Sequence, residues 1–181
     1  VVHWLKPEED VDWSPYPRTG RNVPQVHLYF IDIMTKKQVK IDIGEYPDRA
    51  IHIIGWRKDG SEALFIRVDR AHKNLDLMAA DPETGASRVI LTEHQETFVE
   101  GLRLNYVWPF LFTPVGDGTS FLWLSEQDGW SHVYHYAISG RLIRRLSNGQ
   151  FPVEQVVAVD EKGKWVYFLG RGDRERPYDL H

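Results

Sequence analysis

Apolar and polar residues alternate with a period of two along nearly the whole chain, the spacing of strands whose side chains point to opposite faces. The pattern predicts strands at Val26–Ile33 and Gln38–Ile43, then at Ile51–Trp56, Glu62–Val68, Leu75–Ala80 and Ser87–Leu91. It begins again with Phe110–Thr113, Phe121–Ser125, His132–Ile138 and Leu142–Leu146, and a third time with Val153–Val159 and Trp165–Leu169. Thr92–Leu104 has room for a helical turn or two, but Phe98, Val99 and Leu104 form no stripe at helical spacing. Lys6–Gly20 is rich in Pro, Asp and Glu and reads as an irregular arm. Pro15, Pro17 and Pro24 cannot donate to a ladder, which excludes a central strand there.

The turns repeat in a fixed order. Asp-Gly or Lys-Gly joins the first and second strands of each set at Gly60, Gly118 and Gly163, and Thr-Gly or Ser-Gly joins the third and fourth at Gly85 and Gly140. Glycine supplies the positive φ of tight hairpins. Successive equivalents lie 58, 45 and 55 residues apart, at or just above the roughly 40–50 residues of a propeller blade. The chain therefore reads as all-β, a partial β-propeller of about three blades of four-stranded antiparallel sheet. Its expected divisions are an arm over 1–25, the last two strands of a blade over 26–43, full blades over 51–91 and 110–146, and the start of a further blade over 153–181. Propellers close with about four to eight blades, so the expectation is a segment of a longer protein. The opening Val1-Val2-His3-Trp4, which reads as the middle of a strand, fits that expectation. A self-contained β-sandwich of about ten strands is the competing architecture.

Composition narrows the functional classes. Across 181 residues, 42% are hydrophobic and 27% charged, as in globular domains, and seven Trp suit sheets that stack face to face. A net charge of −4 gives no reason to expect nucleic acid as a partner. The absence of cysteine excludes disulfides and thiolate metal sites and leaves the compartment open. No apolar stretch reaches the roughly 18 residues of a membrane-spanning helix.

Candidate chemistry is sparse. Gly129-Trp130-Ser131-His132-Val133 approaches the G-x-S-x-G nucleophile motif but lacks its second glycine and sits between two strands. Ser131 and His132 are neighbours in sequence and so point apart on a strand. The same alternation separates His132 from His135, with Tyr134 and Tyr136 on the His132 side, and His94 has no histidine three or four residues away, so no metal site is expected. Glu8-Glu9-Asp10 could grip an ammonium group but also suits a solvated loop. Arg141, Arg144 and Arg145, with Arg171, Arg174 and Arg176, form small basic patches lacking the interleaved aromatics of single-strand binders. No phosphate-cradling glycine loop occurs; Gly170-Arg171-Gly172 reads as a turn. Asn105–Pro109, with Tyr106 and Trp108, could clamp a ligand at a propeller rim or pack between blades.

Several stretches resemble the N-terminal propeller of the dipeptidyl peptidase IV family of prolyl-oligopeptidase-like serine peptidases. They are Tyr16-Pro17-Arg18-Thr19-Gly20 with Asn22 and the strand Val26–Ile33; Asn74-Leu75-Asp76-Leu77 with Ala80-Asp81 through Gly85; and, most specifically, Phe121 through Trp130 (FLWLSEQDGW). Gly140 through Leu146, then Val159 through Gly163 with Tyr167-Phe168, continue the match in the family's order from about residue 14 onward.

The resemblance implies a larger enzyme that removes dipeptides from peptide amino termini, often after proline. Its Ser, Asp and His lie in a C-terminal α/β-hydrolase domain outside this chain, whose own catalytic residues are expected to be none. The propeller would gate substrate access, with that hydrolase domain, peptide substrates and a second subunit of a homodimer as partners, no cofactor, and a periplasmic or secreted location favoured. The family's substrate-gripping Glu pair is not carried over to Glu8-Glu9, which stands too close to Tyr16 and lacks flanking aromatics. An arginine loop that reaches substrate in some members falls near residues 101–110, where Gly-Leu-Arg-Leu-Asn-Tyr-Val-Trp-Pro-Phe departs from the pattern. Substrate-binding residues are thus unassigned. A propeller-type protein-binding or scaffold module without a peptidase domain is the alternative.

Overall fold

The computed structural model describes Gly20 and residues 25–45, 48–99 and 111–172, and every regular element among them is a strand. In chain order these are β1 (Tyr29–Ile31), β2 (Gln38–Lys40), β3 (Arg49–Trp56), β4 (Ala63–Asp69), β5 (Asn74–Ala80), β6 (Ser87–His94), β7 (Phe112–Val115), β8 (Ser120–Ser125), β9 (His132–Ala137), β10 (Leu142–Arg145), β11 (Val153–Asp160) and β12 (Trp165–Gly170). They form four antiparallel sheets of order β1-β2, β3-β4-β5-β6, β7-β8-β9-β10 and β11-β12.

All twelve predicted strands are present, with shifted ends. The first two shrink to β1 and β2, although the bonds Asp32 N–H to Lys37 O and Ile41 N–H to Leu28 O carry their pairing further. Ser87–Leu91 instead extends through His94, so Thr92–His94 is strand rather than the start of a helical turn. The extension has a cause on the page: Glu93 pairs across with Leu75 and carries polar contacts to the next sheet. The arm through Thr19 and residues 100–110 lie outside the described residues, and with them Glu8-Glu9-Asp10 and Asn105–Pro109.

Each four-stranded sheet buries both faces, one against the sheet before it and one against the sheet after. In the second sheet Phe65, Met78 and Ala80 pack with Ile41 and Ile43 behind β1-β2. Its other face, Leu64, Ile66, Val68, Leu75, Leu77 and Ala79, meets Phe121, Trp123, Tyr134 and Tyr136 of the third sheet. Leu122, Leu124 and Val133 on the reverse of that sheet pack on Val153 and Val156 of the fourth. This is period-two alternation read through a stack, and it explains why β4, β5 and β8 show near-continuous apolar runs. Trp123 and Phe121, both 0% exposed, each stabilise the fold by about 1.5–3 kcal/mol through burial alone.

Polar ties reinforce the stack at its ends. The β3–β4 turn is joined to the β7–β8 turn by Lys58 Nζ donating to Gly116 O at 2.9 Å. The amide of Gly116 donates in turn to Glu161 Oε1 in the β11–β12 turn at 2.8 Å. At the outer side the β5–β6 turn lies against the tail of β2, with Asp42 N–H donating to Gly85 O at 2.8 Å.

Candidate functional site

Strand order places the β4–β5 and β8–β9 turns on one rim, together with the segments leaving β6 and β10. The polar groups that sequence reading singled out meet near that rim, and the structure gives each a structural partner.

Ser131 Oγ donates to Val153 O at 2.7 Å, and Ser131 O accepts from Val153 N–H at 2.7 Å, so this serine stitches the third sheet to β11. His132 is 1% exposed, pairs through Nδ1 with Ser147 Oγ at 3.0 Å, and meets Phe151 edge-on. Burial, then the nearby Arg145 charge, holds its imidazole below the ordinary histidine value, which keeps it neutral at neutral pH. His135 packs on the opposite face, shifted down by burial and by Arg144, so the two histidines are not brought together. Among the described residues no cluster of three metal-ligating side chains occurs. His94 Nδ1 pairs with Asn74 Oδ1 at 2.7 Å.

The Glu126-Gln127-Asp128-Gly129-Trp130 turn is held from below. Tyr134 donates its hydroxyl to Asp128 Oδ2, and Arg145 Nη1 reaches the same oxygen at 3.0 Å. These two donors hold the Asp128 carboxyl below its ordinary range, while burial and then the Asp128 bond push the Tyr134 phenol up to about 12. Arg145 Nε also donates to Ser147 O at 2.7 Å. Of the basic patch residues, Arg145 is thereby committed to the turn and Arg171 to Glu154. Arg174 and Arg176 lie outside the described residues.

The polar group that sequence reading missed is Glu93. Only 8% exposed, it accepts from Trp123 Nε1 and from Ser125 Oγ, each at 2.9 Å, across the seam between the two four-stranded sheets. Ser125 Oγ accepts from Gln127 N–H at 3.1 Å, so the carboxylate of one sheet shapes the rim turn of the next. Burial pushes the Glu93 carboxyl up, opposed by its two donors. A void of about 10 Å³, the size of one water, lies beside it between Leu75, Val99 and Leu111. None of these groups is a free nucleophile; together they fix a rim and hold two sheets in register.

The largest concavity is elsewhere. A cleft of about 430 Å³ opens between the β1-β2 hairpin and β3-β4, walled by Phe30, Ile31, Ile53, Trp56 and Phe65. Trp56 is 55% exposed, its ring 5.3 Å from that of Phe30.

Comparison with known proteins gives this arrangement a context. The family model described as "Dipeptidyl peptidase IV (DPP IV) N-terminal region" matches residues 3–181. Dipeptidyl peptidase 4 of Trichophyton rubrum is 22% identical over 156 residues, covering 84% of this chain and 20% of its own length. That of Arthroderma otae is 23% identical over 159 residues, with 84% and 20% covered. Among solved structures, Porphyromonas gingivalis dipeptidyl peptidase 4 superposes with a TM-score of 0.80 at 18% identity, covering 94% of this chain and 23% of that one. A Bacteroides ovatus protein described as a dipeptidyl aminopeptidase IV gives 0.77 at 22% identity, covering 93% and 26%. At these identities the structural likeness speaks for the fold, a partial propeller. The chain spans about a fifth of the length of the curated relatives it matches.

Proposed function

Because the chain belongs to the dipeptidyl peptidase IV N-terminal region family, we propose that it serves as a non-catalytic propeller wall in a serine-type dipeptidyl peptidase. In this reading the nucleophile and its partners reside in an α/β-hydrolase domain of the same protein. The stacked sheets limit access to the amino termini of small peptides, and dipeptides are the product. The observation that carries the reading is the family match over residues 3–181, which spans every sheet described. The geometry supports it as well. Ser131, His132, Tyr134 and Glu93 are each occupied in holding strands and turns, the use expected of a scaffold that positions loops.

The test is hydrolysis of a Gly-Pro chromogenic amide by this chain and by the full-length gene product, side by side. Activity confined to the full-length protein is expected. Silence from both sinks the peptidase reading, and activity from the 181-residue chain itself sinks the non-catalytic one.

A further inference from the structure

The two incomplete sheets are not equivalent halves. β2 holds the outermost position of its blade. Gly85 in the next sheet's β5–β6 turn lies against Lys40 O just as Gly140 in the following β9–β10 turn lies against Ile90 O of outer strand β6. The β1-β2 pair therefore fills the third and fourth positions of a blade. β11-β12 holds the first and second, because its turn continues the tie of first-to-second turns through Gly116 and Glu161. Among the described residues, β1 and β12 each have one unpaired edge.

The exposed faces match those vacancies. Val166 of β12 turns toward the third sheet's core, so Trp165, Tyr167 and Leu169 turn the other way, 65%, 54% and 55% exposed. The 430 Å³ cleft lies on the inner side of β1, where first and second strands would sit, and its floor presents the half-exposed Ile53 and Trp56. It is continuous with the apolar seam of Ile41, Phe65 and Met78 already packed behind β1-β2. Joining β12 to β1 would set Trp165, Tyr167 and Leu169 over Ile53 and Trp56, and would remove both open edges from water.

We propose that the cleft beside β1 receives β11-β12 of a second copy of this chain, completing one four-stranded blade in the order β11-β12 from one copy and β1-β2 from the other. The contact is heterologous, front of one copy to back of the next, and each copy then supplies three blades. Two copies close a ring of six, inside the range of about four to eight that propellers adopt. Each copy supplies one cleft and fills one.

Sedimentation velocity on the 181-residue chain tests this, with two exposed-site variants whose strand content is checked by circular dichroism. The wild type is expected at twice the 21.1 kDa chain mass, with no ladder of larger species. Trp56→Arg blocks the cleft and Tyr167→Arg blocks the strand that fills it, so each alone is expected to sediment as a monomer. An equimolar mixture of the two keeps one intact cleft facing one intact β12, and regains a species of double mass. A wild-type monomer overturns the proposal and leaves both faces to strands from elsewhere in a longer polypeptide. A dimer that neither variant weakens, a mixture that fails to reassociate, or an open-ended ladder overturns it equally.

Discussion

Glu93 carries a carboxyl group into a seam whose other walls are Trp123, Leu75 and Val99, and two donors from the neighbouring sheet meet it there. Burial penalises the charged form more than those donors restore, so the folded state holds the proton more tightly than the unfolded chain does. The stability owed to this group is therefore fully present below the ordinary glutamate value of 4.5 and fades as pH climbs through the raised one. Glu93→Gln removes the titration while keeping the shape and one acceptor oxygen. Urea melts of both proteins from pH 4 to 8 should show the wild type losing ground against the variant as pH rises, then levelling off. A difference independent of pH would mean that burial does not shift this carboxyl. Ser131 makes the contrasting case: its sequence neighbourhood suggested chemistry, but its hydroxyl is spent on Val153 O.

Between elements, the device that recurs is a hairpin tip pressed on the outer strand of the preceding sheet. Gly140 has φ of +89°, and a Cβ there would stand 1.9 Å from Ile90 O, a backbone atom that cannot rotate aside. Gly60 has φ of +73° but open space around it. Gly60→Ala is expected to cost only the left-handed penalty of about 1–2 kcal/mol. Gly140→Ala adds a backbone collision and should cost clearly more, of the order that a severe core lesion does, about 4 kcal/mol. Equal losses in chemical denaturation would show that the sheets separate at this point without penalty. Both glycines were visible in the sequence as turn formers, since Asp-Gly and Ser-Gly between alternating runs can hardly be anything else. Which of them also abuts another sheet was not, because Ile90 lies 50 residues away and turn chemistry is local. The same limit hid Glu93, whose partners stand 30 and 32 residues on, and it explains why β6 runs past its predicted end. The strands themselves were legible because alternation is a local signal and each strand here obeys it.

Across the molecule, burial is uneven in a way that follows from stacking. β4, β5, β8 and β9 lie in the second and third positions of complete sheets and contribute most of the buried side chains. β10 is exposed at all four residues, and β12 at all but Val166. Opening free energies measured by amide exchange should therefore be layered rather than uniform. The slowest amides are expected in β4, β5, β8 and β9, at or near the free energy of global unfolding. β1, β2, β10 and the free edge of β12 should exchange through local opening at lower cost, since few buried contacts are lost when they part. Strand-resolved exchange on the dilute chain, with Trp56→Arg present to block any assembly at the cleft, separates intrinsic layering from protection gained between copies. Uniform protection across all twelve strands in that variant would contradict a stack in which each sheet depends on its neighbours for its core. Protection confined to β3–β6 would instead mean that the seam built on Trp123 and Glu93 does not couple the two complete sheets.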